Sequence, residues 1–252
     1  MRSRYAWGMP ILPQLDRRDR QAEVMDQPGL DESDHAAALR GLATINRFSR
    51  ARQAVWQQIK AAATALPDGE RLRVLDLACG GGDFAQYVAE RARRESLDID
   101  VAGCDISLTA VNFANESAEH RGVAINFFVC DLFGDAFPTG YDVITCNLFL
   151  HHLERPGAVE LMRSMTAAAR QRVIVCDLRR SRLGYALAWA GTRILSRSPI
   201  VHNDGPLSVK AAFQLSELPE LCAEAGITEH QVRRVWPQRF VLTWPGTAGA
   251  ST

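Results

Sequence analysis

Residues Val74 to Phe84, read as Val-Leu-Asp-Leu-Ala-Cys-Gly-Gly-Gly-Asp-Phe, limit the fold more than any other stretch of the chain. An aliphatic run enters three consecutive glycines and leaves them on a helical pattern, which describes a buried strand, a tight turn and a helix. A turn of that composition lets main chain approach a ligand closely. The same alternation then repeats along the sequence. RLRVLDLA is followed by a helix from about Asp83 to Glu95, DIDVAGCD by a helix from about Leu108 to His120, then AINFFVC, YDVITCN, a helix from about Gly157 to Ala169, and RVIVCDL. Strands joined by helical crossovers require a parallel sheet with helices on both faces. Farther on, Leu218 to Ala225 reads as a helix closed by Gly226, and HQVRRVW and RFVLTW read as two strands joined by a turn at Pro237.

The flanks follow different rules. Pro10, Pro13, the mixed charges from Asp16 to Arg20 and Pro28-Gly29 break up the first 30 residues, which read as an arm or lid entry. Apolar residues at three- and four-residue steps from Ser33 to Ala63 predict two helices, and Pro67-Asp68-Gly69 then marks the start of the main domain. The division expected is therefore a helical cover over residues 1–66 and a ligand-binding domain over residues 67–252. Within that domain, residues 179–213 interrupt the rhythm with an apolar helix, GYALAWAGTRIL, and a loop holding Pro199, Gly205 and Pro206. This insertion is placed to cover a substrate together with residues 1–63. The tail GTAGAST is expected to be disordered.

Composition narrows the partners. Lys+Arg 29 against Asp+Glu 29 leaves no net charge, without the basic excess that nucleic-acid binding uses, so no nucleic-acid partner is expected. The six cysteines show no metal-ligand spacing and five of them lie in or at the ends of the expected strands, so they read as reduced, buried fillers in a cytoplasmic protein. No metal site is apparent. No apolar run approaches the roughly 18 residues that a membrane span requires.

The ligand is suggested by what stands at the strand ends. Gly80, Gly82 and Ala85 also fit the loose dinucleotide pattern GxGxx(G/A), but Asp76, four residues before the first glycine, would repel a pyrophosphate. The same carboxylate suits a ligand carrying an ammonium and a sulfonium. Asp105 ends the next strand, where it can accept from a ribose diol. Asp131 follows the third strand and can accept from an adenine amino group, with Leu132 packing on the ring. Asn147 ends the fourth.

DLACGGGDF, GCDIS, CDLF and YDVITCNLFLHHL together resemble the successive motifs of class I S-adenosylmethionine (SAM) dependent methyltransferases over residues 70–245. The resemblance implies a Rossmann-like α/β fold, a doubly wound seven-stranded sheet with an antiparallel last strand. It also implies SAM contacts from Asp76, Gly80, Gly82, Asp105, Ile106, Asp131 and Leu132. INRFSRARQAVW is similar to the helix that precedes the core in ubiquinone and menaquinone methyltransferases, which extends the expected site to Asn46 and Arg47.

For the chemistry, two histidines are candidate bases. His151 follows the fourth strand, a place comparable to the general-base histidine of aromatic O-methyltransferases. There an aspartate and a tryptophan follow, whereas here His152 and Leu153 do. His202 stands two residues before Asp204, and a carboxylate beside a histidine can fix its tautomer and raise its pKa. Trp189, Phe213 and Tyr185 are candidates for an aromatic-lined acceptor pocket. The function expected is SAM-dependent methylation of a small, partly apolar and aromatic acceptor, most plausibly a phenolic or polyketide-like hydroxyl, by a monomer or homodimer. Transfer to nitrogen or carbon, a SAM-binding regulator without turnover, and a dinucleotide oxidoreductase are the rivals. Against transfer to a nucleobase amino group, Leu148-Phe149-Leu150 follows Asn147 instead of a Pro-Pro-aromatic run.

Overall fold

The structure, a computed structural model, describes residues 14–27, 29–67 and 69–247. Pro10 and Pro13 of the expected arm, Pro28, Asp68 of the expected turn, and residues 248–252 of the tail lie outside the described residues. Parallel strands β1 (Leu72–Leu77), β2 (Ile99–Asp105), β3 (Asn126–Val129), β4 (Tyr141–Asn147) and β5 (Ala169–Leu178) are joined by β6 (Gln231–Val235) and β7 (Arg239–Pro245). The seven strands form one sheet in the order β3-β2-β1-β4-β5-β7-β6. β7 runs antiparallel to β5, pairing Arg172 with Pro245 through Leu178 with Arg239, as the resemblance implies. β1 has β2 on one side and β4 on the other, so the chain reverses its winding direction there and a crevice opens beyond the carboxyl ends of β1 and β4.

Helices fill both faces. α1 (Glu32–Arg47), α2 (Ala51–Thr64), α3 (Asp83–Arg94) and α4 (Leu108–Arg121) precede β3, whereas α5 (Arg155–Ala168), α6 (Arg182–Leu195), α7 (Pro199–Ala211) and α8 (Leu218–Glu224) follow β4. One apolar layer gathers Leu161, Met162, Met165 and Leu221 beneath α5 and α8. The other gathers Trp56, Ile59, Phe84 and Val88 from α2 and α3 against the opposite face. α2 is therefore not a cover: burying Trp56 and Ile59 completely makes it one of the helices that wind the sheet. Local chemistry fixes the helix ends. Ser107 caps α4 by accepting from the Ala110 amide, and Gly122 closes it at φ 61°.

The stretch containing Pro199, Gly205 and Pro206 is a helix and not the expected loop. Pro199 occupies the first turn, where no amide is missed. Pro206 frees the carbonyl of His202, and the Arg193 guanidinium donates to that oxygen at 3.4 Å. Gly205 marks the close crossing of α6 and α7, since a β-carbon there would sit 2.5 Å from the Thr192 methyl. All six cysteines are buried and unpaired, as their positions suggested. Among the described residues, no helix is long and apolar enough to cross a membrane.

The glycine turn is the tightest point of the fold. Gly82 has φ +71°, and a β-carbon on it would meet the Phe127 ring at 2.6 Å. Gly82→Ala should destabilise the protein by about 2–4 kcal/mol, combining left-handed strain with overpacking. Equilibrium urea unfolding measures it, and a midpoint equal to wild type would show that the Phe127 ring yields freely.

Candidate functional site

The crevice beyond β1 and β4 holds a cavity of about 610 Å³. Of the residues expected from the sequence, Asn46, Gly80, Asp105, Ile106, Asp131, Leu132 and Asn147 line it. A smaller hollow of about 50 Å³ adjoins it and is lined by Asp76, Asp83, Asn46, Arg52 and Arg239 among others. Gly82 lines neither hollow and acts through the geometry of the turn. Arg47 is exposed and also lies outside both linings.

Main-chain donors hold the Asp105 carboxylate: Gly80 N–H donates to Oδ2 at 2.8 Å and Ser107 N–H to Oδ1 at 2.9 Å. Burial raises its pKa, and those two bonds oppose the rise. Asp131 accepts from the Phe133 amide at 3.0 Å, which orients it in the turn after β3. Asp76 is buried, and its Oδ1 accepts from Thr145 Oγ1 at 2.7 Å and Asn147 Nδ2 at 2.8 Å. Desolvation pushes its pKa up to about 7, the two hydrogen bonds offset part of that, and the charges of Asp83 and Asp105 add to it.

Three residues of the smaller hollow escaped the sequence reading. Asp83 opens α3 directly after the glycines, and burial raises its pKa although Asn46 donates to it at 3.4 Å and Arg239 and Arg52 stand nearby. Arg239 is buried on β7 and donates to Asn46 Oδ1 at 2.9 Å, but its Nε has no partner among the described residues. Adjacency to the glycines was a signal for Asp83. Arg52 lies in the INRFSRARQAVW segment already tied to the site, whereas Arg239 lies on an element remote in sequence and carried no signal.

The histidines are arranged differently from expectation. His151 is buried: its ring Nδ1 lies 2.6 Å from Asp177 Oδ1, and its amide donates to Asp177 Oδ2 at 2.9 Å. Burial alone would lower its pKa, but the charge and hydrogen bond of Asp177, reinforced by Glu23, raise it to about 10. It is His152, paired through Nδ1 with Asp26 at 2.9 Å, that lines the cavity. His202 and Asp204 form no pair, because residues two apart on a helix point away from each other. His202 Nε2 meets the Ser196 carbonyl at 2.8 Å, and Asp204 accepts from the amides of Val24 and Met25, both at 3.0 Å.

None of residues 179–213 lines the cavity, so Tyr185, Trp189 and Phe213 do not build its wall. Arg18 instead lies over the Phe213 ring at 3.9 Å. The apolar wall comes from Met25, Leu39, Leu42, Phe133, Phe149 and Leu153. The insertion holds the arm in place, and the arm and α1 face the ligand space.

Comparison with known proteins bears on this geometry. Residues 74–172 match the model of a methyltransferase domain family. The ubiquinone biosynthesis O-methyltransferase of Burkholderia pseudomallei (strain 1710b) is 24% identical over 177 residues, covering 68% of this chain and 72% of that protein. Among solved structures, the plantazolicin methyltransferase in complex with SAH aligns with a TM-score of 0.61 at 14% identity, over 85% of this chain and 96% of that one. A protein of Nostoc punctiforme PCC 73102 described as a candidate O-methyltransferase aligns with a TM-score of 0.55 at 22% identity, over 77% of this chain. The present chain spans only 55% of that longer protein. Both structural likenesses speak to the fold.

Asp76 makes the stability of the protein depend on pH. Its pKa, ordinarily 3.8, stands at about 7 in the fold, so the unfolded chain loses this proton first as pH rises. The contribution of Asp76 to stability therefore falls between about pH 4 and pH 7 and stays low above it. Asp76→Asn keeps an oxygen for Thr145 and Asn147, and should melt like wild type near pH 4 and several degrees higher at pH 8. Thermal melts across that range measure the gap. A gap independent of pH would mean that the carboxylate is not strained in the fold.

Proposed function

We propose that this chain, whose residues 74–172 match the model of a methyltransferase domain family, is a class I methyltransferase that transfers the methyl group of SAM to a hydroxyl of a small, partly apolar acceptor. The observation that carries the reading is the Asp105 carboxylate, fixed by the Gly80 and Ser107 amides at the edge of the cavity and free to accept from a diol.

The residues present suit SAM at both ends. The small hollow offers two carboxylates, Asp76 and Asp83, and two guanidiniums, Arg52 and Arg239, which complement an ammonium and a carboxylate on one amino-acid moiety. The unpartnered Nε of buried Arg239 leaves a donor for such a ligand. In the larger cavity, Asp131 and Leu132 stand where an adenine ring needs an acceptor and an apolar face, beside Ile106. SAM, when bound, supplies a methyl group on a sulfonium.

This chain's own residues would do the rest by positioning. Methyl transfer requires the acceptor atom in line with the bond that breaks, so orientation and exclusion of water dominate the catalysis. Phe133, Phe149, Leu153 and Met25 offer an apolar slot for an aromatic acceptor, and the His152 ring, stacked with Phe149 at 5.7 Å between centroids, offers the polar end. Residues 14–27 and 29–47, held over the slot, form its cover. Transfer to oxygen is favoured by the few polar groups in that wall, His152 and Asp26 among them. The Burkholderia relative, a ubiquinone biosynthesis O-methyltransferase, agrees with that preference.

Two measurements test the reading. Asp105→Ala should weaken SAM binding by about 10- to 100-fold in calorimetry, since a charge-assisted bond is worth roughly 1.5–3 kcal/mol. Incubation with SAM and a panel of phenols, amines and quinol precursors should give a product heavier by one methyl group from a phenol. A wild-type protein that binds NAD in preference to SAM would overturn the assignment, and methylated amines alone would overturn the choice of oxygen.

A further inference from the structure

Beside the cavity, two histidines and a glutamate converge from opposite parts of the chain. Glu23 precedes a short 3-10 turn (Val24–Asp26) in the arm, and His151 and His152 lie in another (Leu150–His152) after β4. One donor atom from each of the three lies within 4.8 Å of the others. The Glu23 carboxylate approaches His151 Nε2 at 3.7 Å and His152 Nε2 at 3.9 Å. Both distances exceed a hydrogen bond. They are close to the spacing of two ligands on one small cation, roughly 3.4 Å for bonds of about 2.1 Å at tetrahedral angles.

We propose that Glu23, His151 and His152 bind one divalent metal ion of the zinc class at the wall of the cavity.

Each imidazole is prepared for that role at its other nitrogen. Asp177 holds His151 Nδ1 at 2.6 Å and Asp26 holds His152 Nδ1 at 2.9 Å, an arrangement that aims each Nε2 lone pair and raises its basicity. Ser208 Oγ donates to Glu23 Oε1 at 2.5 Å and so orients the carboxylate. Glu23 and His151 are buried and His152 is half-buried, a setting in which unpaired charge is costly. Three carboxylates, those of Glu23, Asp26 and Asp177, surround the two rings. The nearest guanidiniums are committed elsewhere: Arg18 Nη2 donates to the carbonyls of His151 and Leu153 at 2.9 and 2.7 Å, and Arg20 pairs with Glu154 at 2.6 Å. A divalent cation would neutralise the excess of negative charge. Two imidazoles and a carboxylate suit zinc and its neighbours better than magnesium or calcium.

Three protein ligands leave a tetrahedral position open, and His152 and Asp26 are the members of this cluster that line the cavity. The open position therefore faces the acceptor slot. There it would take an acidic hydroxyl oxygen and favour its ionised form, a role that rests on the methyl-transfer reading, whereas metal binding itself does not.

The test uses the full chain without a histidine tag, stripped with a chelator. Zinc added in a calorimeter should bind one ion per chain, and cobalt should develop the visible absorption of a tetrahedral site. Glu23→Gln and His152→Ala should each weaken binding at least tenfold, and Asp26→Asn, which releases only the outer nitrogen of a ligand, about tenfold. His151→Ala would strand Asp177 in the core and risks unfolding, so the other three variants, checked for wild-type circular dichroism, carry the result. Absence of the cobalt bands, or wild-type affinity in Glu23→Gln and His152→Ala, overturns the site. Phenol added to the cobalt form should shift the bands, and unshifted bands overturn the acceptor role. SAM titrated into the same preparation separates the two readings: metal without SAM binding defeats methyl transfer and leaves the site, and SAM without metal does the reverse.

Discussion

The turn between β1 and α3 is the constraint on which the site depends. Cys79 N–H donates to the Cys104 carbonyl, Gly82 N–H to the Cys79 carbonyl, and Gly80 N–H to the Asp105 carboxylate, so one short loop ties the ends of β1 and β2 together. The tie is polar at its ligand edge and apolar beneath, where Phe127 packs under Gly82 and Gly103 at distances that leave no room for a side chain. Every carboxylate of the SAM reading is positioned from this loop or from a strand in register with it. The same closeness raises the pKa values of Asp76, Asp83 and Asp105. Burial in the desolvated crevice drives each of them up, and hydrogen bonds, with nearby guanidiniums at Asp83, compensate in part.

The cover is held by a different kind of force. The arm buries few side chains of its own, Leu15 and Glu23 among them, and is fixed mainly by hydrogen bonds to carbonyls and carboxylates. Asp204 on α7 receives the Val24 and Met25 amides, and buried Arg180 donates to the Leu15 and Ala212 carbonyls while pairing with Glu217 at 2.8 Å. Such contacts specify geometry closely and can be exchanged for water, which suits an element proposed to admit and discharge ligands. Residues 179–213 therefore act on the ligand space through the arm, at one remove from it.

Charge distribution separates the two ends of the site. The smaller hollow, proposed for SAM, mixes carboxylates with guanidiniums and so suits a zwitterionic ligand. At the other end, Met25, Leu30, Phe133, Phe149 and Leu153 line the cavity with a few polar groups, Asp26, Gln27, His35 and His152. Asp177 is kept below the usual carboxylate range, burial being outweighed by the charge and hydrogen bond of His151, so the pair is a fixed feature of the core and not a free base. The exposed face of His152 is the only part of that cluster's imidazoles in contact with the cavity.

Much of this protein was legible in its sequence because the relevant signals are local. Strand, glycine turn and helix follow one another within a few residues, and the rule that ligands bind at the carboxyl ends of parallel strands places Asp76, Asp105, Asp131 and Asn147 at the site without tertiary information. The buried cysteines followed in the same way, whereas the antiparallel last strand came from the resemblance to a known family. Tertiary structure alone decided the rest. Gly205 and Pro206 read as a loop, yet they lie inside a helix because a close crossing with Thr192 needs the glycine and Arg193 satisfies the carbonyl that the proline frees. Arg239 reaches the site from the far end of the chain, and Glu23 reaches His151 and His152 across more than half of it. Pattern and spacing report on neighbours along the chain, whereas convergence of distant segments is set by how the sheet closes and what its helices can bury.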